Sequence, residues 1–104
     1  MIKKIKIGLI QSKSLGTIQS NIDLAIKNIK IAAKKKAKII CLPELFLTNY
    51  FCQTESHSNF KLAEKIPGTT SRIFCDLAKE LGVILNITMF EKKTSGFYHN
   101  TSII

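Results

Sequence analysis

Ile39-Ile40-Cys41-Leu42-Pro43-Glu44 is the stretch on which the fold turns. Four apolar residues, two of them β-branched, spell a short strand buried on both faces. Pro43 has no N–H and a locked φ, so the strand's hydrogen-bond ladder ends there. The next residue is a carboxylate. In open α/β sheets, ligands gather at the carboxyl ends of the strands. Glu44 is therefore the first candidate for chemistry, and the rest of the chain reads as its support.

Upstream, Lys4 to Ile10 begins as a polar–apolar alternation and becomes wholly apolar, a first strand that leaves solvent and enters the core. Gly8 within it implies close approach of another element. Thr17 is suited to cap a helix running to about Lys36. Ile18, Ile22, Ala25, Ile26, Ile29 and Ala33 form its apolar stripe, and Lys34, Lys35 and Lys36 oppose the macrodipole at its end. Leu24 and Ile31 fall on the other face, where a second contact is expected. Strand, helix and strand make a right-handed crossover with a parallel pair.

Downstream, Leu45 to Asn59 has no period but carries Phe46, Tyr50, Phe51 and His57. An aromatic loop behind a strand-end acid reads as a pocket wall, with His57 a solvated loop residue. A short helical piece near Phe60 to Lys65 precedes the Pro67-Gly68 turn. Thr69 or Thr70 then caps a helix with Ile73, Phe74, Leu77, Ala78 and Leu81 on its apolar face, stopped by Gly82 at C′. Val83 to Phe90 is a third strand with Val83, Leu85, Ile87 and Met89 on one face and Glu91 at its end. Lys92 to Gly96 reads as a polar turn, and Phe97 to Ile104 as a fourth, hairpin-paired strand. Ile103 and Ile104 are apolar with no turn or polar tail, so residues 1–104 are expected to be the first portion of a larger domain.

The 104 residues amount to one domain. The net charge of +9 invites a nucleic-acid partner, but Arg72 is the single arginine. Phosphate and base recognition lean on the arginine fork, and scattered lysines speak to solubility. The three cysteines show no CxxC pair or metal-ligand spacing, so they read as reduced thiols, with Cys41 and Cys75 as small core residues. Met1-Ile2-Lys3-Lys4 has the charge of a signal-peptide start, but Lys6 interrupts the apolar segment behind it. No stretch approaches a membrane span of about 20 apolar residues. The sequons at Asn86 and Asn100 fall inside strands. These features describe a cytoplasmic protein with neither nucleic acid nor membrane as partner.

Gln11, Asn21, Leu42-Pro43-Glu44-Leu45-Phe46, Leu77-Ala78-Lys79-Glu80-Leu81-Gly82-Val83, Phe90-Glu91 and Tyr98-His99-Asn100 together resemble the N-terminal part of the nitrilase, or carbon–nitrogen hydrolase, superfamily. Asn49-Tyr50-Phe51-Cys52-Gln53 is most similar to its N-carbamoylputrescine amidase branch. The resemblance implies the first part of an α-β-β-α four-layer sandwich with a Cys-Glu-Lys triad, no cofactor and no metal. It matches Glu44 to the general base, Glu91 to a supporting glutamate, and Tyr50 and Phe51 to the wall of the pocket for a small amide or carbamoyl-amine. Burial is expected to tune Glu44. The triad's lysine and cysteine match nothing in the chain and are expected downstream. Homo-oligomers are implied for the longer protein. Lys36 stands where the family has glycine, so an altered turn into the second strand is expected. The alternative is a catalytically inactive fragment or interaction module.

Overall fold

The computed structural model describes residues 3–104, so Met1 and Ile2, half of the charged start, lie outside the described residues. Four strands form one sheet in the order β1-β2-β3-β4, with β1 at Ile7–Leu9, β2 at Ile39–Cys41, β3 at Ile84–Thr94 and β4 at Phe97–Ile103. The β1–β2 and β2–β3 pairs are parallel, and β3–β4 is an antiparallel hairpin. Helix α1 covers Ile18–Lys34 and α2 covers Thr69–Leu81, each on a crossover between parallel strands. The loop between β2 and α2 contains 3-10 turns at Phe51–Gln53 and His57–Leu62, so the short helical piece lies earlier than Phe60–Lys65.

Both helices pack on one face of the sheet. Ile22, Ala25 and Ile29 of α1 and Phe74 and Leu77 of α2 join Ile40, Leu85, Ile87 and Met89 in one buried cluster, which removes apolar surface from water where the period-3.6 and period-2 stripes meet. Phe46 closes the cluster edge-on to Phe74, with ring centroids 5.3 Å apart. Gly8 sits directly beneath α1: a Cβ there would meet those of Ala32 and Ala37 at 3.2 and 3.3 Å. The close approach expected at Gly8 is therefore present.

The opposite face is open. Ile5, Ile7, Leu9 and Ile84 are exposed, Leu9 by 80%. The burial of both faces expected of strand one, and in part of strand two, is thus corrected. Hydropathy marks residues able to be buried, and along β1 and β2 only the helix-bearing face is covered. Ile31 on the outer side of α1 is likewise exposed. Cys75 is exposed and Cys41 half-buried, so neither is a closed core residue. Cys75 falls one step, about 100°, past Phe74 on α2 and misses its apolar stripe.

Local chemistry explains most of the ends. Thr17 caps α1 as expected, its hydroxyl accepting from the Ser20 N–H at 3.1 Å. At α2 neither threonine is the cap. The helix starts at Thr69 behind Gly68, and the Ser71 hydroxyl reaches back to accept from the Gly68 N–H at 2.7 Å. Thr70 is committed elsewhere, donating to Glu64 Oε1 at 2.7 Å. A Cβ at Gly68 would lie 2.5 Å from the Lys65 carbonyl oxygen. The polar turn expected at Lys92 to Gly96 is shorter than expected. β3 continues to Thr94 and only Ser95-Gly96 turns, so Glu91 lies within the strand instead of ending it.

The two helix C-termini form the same motif with different residues. Ala37 N–H donates to Ala32 O and Lys36 N–H to Ala33 O, as Val83 does to Ala78 and Gly82 to Lys79. This is the paired bonding of a Schellman C-cap. The left-handed position is Gly82 at φ +64° in one and Lys36 at φ +72° in the other. The turn into β2 is therefore not altered by Lys36; the lysine adopts the glycine conformation. That conformation costs a residue with a Cβ about 1–2 kcal/mol, against about 0.5–1 kcal/mol for the greater unfolded-state freedom of glycine. Lys36→Gly is expected to raise stability by about 0.5–1 kcal/mol in urea unfolding, with no change in the far-ultraviolet dichroism of the native state.

Candidate active site

The end of β2 is tied on both sides before the chain turns. Ile10 N–H donates to Cys41 O at 2.9 Å and Leu42 N–H to Asn86 O at 3.1 Å; Pro43 then offers no donor. Glu44 opens a tight turn in which Leu45 takes φ +50°. A buried leucine in the left-handed region is strained by about 1–2 kcal/mol. Its N–H donates to Thr88 Oγ1 at 2.8 Å, and its side chain, with those of Phe46 and Leu47, goes into the interior. Glu44 is left outside at the carboxyl edge, where Asn100 Nδ2 donates to its Oε1 at 2.7 Å. Glu44 is exposed, so the burial expected of it is not found.

Asn21 positions the surroundings of Glu44. Its side chain is buried, 3% exposed, and every polar atom is used. Oδ1 accepts from the Leu15 N–H at 2.7 Å, while Nδ2 donates to Ser14 Oγ at 3.0 Å and Leu47 O at 2.8 Å. One amide thus joins the β1–α1 loop to the turn after Glu44. Between those segments lies a cavity of about 150 Å3, lined by Ser12, Ser14, Glu44, Thr48 and Tyr50 among others.

Tyr50 is half-exposed beside the acid. The negative charge of Glu44, and then the neighbouring Cys52, push its hydroxyl pKa above the usual value. Phe51 turns the other way and packs on Phe90, centroids 5.0 Å apart. Phe90 and Tyr98 are 5.6 Å apart, and Phe60 lies 4.5 Å from Tyr98. The aromatic loop read as a pocket wall does line cavities, and it does so by stacking on the β3–β4 hairpin.

The two glutamates singled out in the sequence are not brought together. Glu91 stands opposite His99 and its Oε1 accepts from Thr101 Oγ1 at 2.7 Å. Glu44 is held by Asn100. Successive residues of a strand point to opposite faces, so the carboxylates lie on opposite sides of the sheet. Glu91 is instead the bridge partner of Glu64. Asn100 and Thr88 contact the site although no role is assigned to either from the sequence; Thr88 stands between apolar neighbours in β3, and Asn100 is one of four successive polar residues in β4.

The chain is similar to known proteins along most of its length. Residues 6–104 match the carbon–nitrogen hydrolase family. The chain is 33% identical over 102 residues to an N-carbamoylputrescine amidase of Oryza sativa, covering 97% of this chain and 34% of that protein. It is 34% identical over 101 residues to an omega-amidase of Xenopus laevis, with 97% and 35% covered. A crystal structure of a carbon–nitrogen hydrolase from Helicobacter pylori superposes with a TM-score of 0.87 at 32% identity, over 94% of this chain and 34% of that one. The chain spans about a third of the length of each.

Two outcomes are expected. Asn21→Ala leaves the Leu15 N–H and the Leu47 carbonyl without partners and is expected to cost roughly 2–4 kcal/mol in urea unfolding. Glu44→Gln removes the charge that disfavours tyrosinate, so the Tyr50 pKa is expected to fall toward 10.0. Tyrosinate absorbance against pH in a Tyr98→Phe background reads this directly.

Proposed function

The chain belongs to the carbon–nitrogen hydrolase family, and on that premise we propose that Glu44 is the general base of a Cys-Glu-Lys amidohydrolase acting on a small linear amide or carbamoyl-amine. The observation that carries the assignment is its placement: a carboxylate at the carboxyl end of an inner parallel strand, oriented by Asn100, beside a cavity walled by Ser12, Ser14 and Tyr50. N-carbamoylputrescine is the substrate we favour, from the likeness of Asn49 to Gln53 to that branch and from relatives bearing that name. Its products would be putrescine, ammonia and carbon dioxide, a polyamine-forming step in the cytoplasm.

In the proposed reaction Glu44 takes the proton of a cysteine thiol, and the thiolate sulfur bonds to the substrate carbonyl carbon. A lysine and a backbone N–H hold the oxyanion. The proton passes to the leaving ammonia, the carbon–nitrogen bond breaks, and water activated by Glu44 releases the thioester. Neither the lysine nor the nucleophile is assigned to this chain: residues 1–104 would be the N-terminal portion of one hydrolase domain, and the open apolar face at Ile7, Leu9 and Ile84 suits the second sheet of an α-β-β-α sandwich. Glu91 would be a positioning residue, acting through Thr101 on the strand that carries Asn100. Tyr50 and Phe51 would wall the substrate. The longer protein would form homo-oligomers.

The gene read past Ile104 should encode a lysine and then a cysteine at a strand end, and its absence would end the triad assignment. The longer protein is expected to release ammonia from N-carbamoylputrescine, with Glu44→Gln slowing turnover by about 10²–10⁴. The 104-residue chain alone is expected to be inactive. Turnover by that chain, abolished in Glu44→Gln, would instead put the nucleophile among Cys41, Cys52 and Cys75.

A further inference from the structure

The lysines that look scattered along the sequence are gathered by the fold. Lys3, Lys4 and Lys6 lead into the amino end of β1, and Lys34, Lys35, Lys36 and Lys38 join α1 to the amino end of β2. All are exposed, so seven of the 16 basic residues stand at the sheet edge opposite Glu44. Neither segment holds an acid. The last turn of α2 ends at the same edge and adds Lys79 and Glu80, whose charges cancel.

The edge is assembled at a cost to stability. The parallel register brings Lys6 beside Lys38, whose N–H donates to the Lys6 carbonyl oxygen at 2.8 Å. Like charges on neighbouring strands destabilise a sheet. The Lys6 ammonium donates to Lys35 O at 2.9 Å, which draws the strand entry and the helix end together. Lys36 holds a left-handed φ of +72° that glycine would hold more cheaply. Strain of that kind concentrates at functional positions, and the side chain kept there is a charge.

The kind of anion follows from what the lysines lack. Neither segment contains an arginine or an aromatic ring, so neither the bidentate phosphate fork nor base stacking is on offer. Lysine ammoniums are compact point charges, suited to the diffuse field of a surface covered by anionic head groups. We propose that this edge docks the protein on an anionic lipid bilayer, with the Glu44 edge turned to solution. The docking surface does not depend on the amidase reading of Glu44.

Sedimentation of the chain with lipid vesicles tests this. Vesicles of phosphatidylcholine and phosphatidylglycerol in equal parts are expected to carry the chain down, and added salt to release it. Pure phosphatidylcholine vesicles are expected to leave it in solution. Lys36→Gly is the decisive variant, because it is expected to stabilise the fold and weaker binding then cannot come from unfolding. It should weaken binding about fivefold, and Lys34→Gln with Lys38→Gln about 25-fold. Lys92→Gln with Lys93→Gln takes the same charge from the hairpin, about 27 Å along β3 from Ile84. That is well beyond a Debye length of about 8 Å, so binding should change less than about twofold. Equal binding to neutral vesicles, unchanged binding by Lys36→Gly, or an equal loss on removing the hairpin lysines would each overturn the docking surface. So would tighter binding to a DNA duplex than to the anionic vesicles at the same salt, which would make nucleic acid the partner.

Discussion

The buried amide of Asn21 is the contact on which the candidate site depends. An asparagine offers one acceptor and a two-proton donor on a single rigid plane, and here the acceptor holds Leu15 while the donors hold Ser14 and Leu47. Those segments lead out of β1 and out of β2, so the loops at the carboxyl edge are registered through one side chain in the first turn of α1. Because that side chain is sealed from water, each bond lost would leave a polar group without a substitute partner. Helix, sheet edge and the Glu44 turn are thereby one mechanical unit.

β2 is entered and left through left-handed residues that are not glycine, Lys36 before it and Leu45 after it. Each costs about 1–2 kcal/mol, yet the strand between them is three residues long. Enclosure holds it: Ile40 is fully buried, Leu42 and Leu45 nearly so, and parallel neighbours pair with it on both sides. Burying each such side chain is worth about 1.5–3 kcal/mol, enough to outweigh the strain. The strain at Leu45 has a use, since it sends three consecutive apolar side chains inward while Glu44 alone remains at the edge.

The helices are legible because their signals are local: a 3.6-residue stripe, Thr17 at one end, Gly82 at the other. The same kind of signal misleads at α2, where Thr69 and Thr70 are both plausible caps until Thr70 is found bonded to Glu64 and Ser71 to Gly68. Lys92 to Thr94 reads as a turn because polarity on both faces looks the same in an exposed strand arm and in a loop; only pairing with Phe97 and Tyr98 distinguishes them. Likewise β1 carries the composition of a buried strand, but composition does not say which face finds a partner. Glu44 stands out because a proline marks the strand end before it. Asn100 and Thr88 have no such marker.

By itself the sequence determined the parallel strand–helix–strand unit, the final hairpin, and the acid that the second strand delivers. These depend on period, capping and chain-breaking residues, which act over a few positions. The tertiary structure alone decided which face of the sheet is covered, that Glu44 is held by Asn100 and exposed, that Glu91 lies on the other side, and that Phe51, Phe60, Phe90 and Tyr98 converge. Those facts rest on strand register and on contacts between residues up to 56 positions apart. A shift of one residue in register would send every side chain of a strand to the other face.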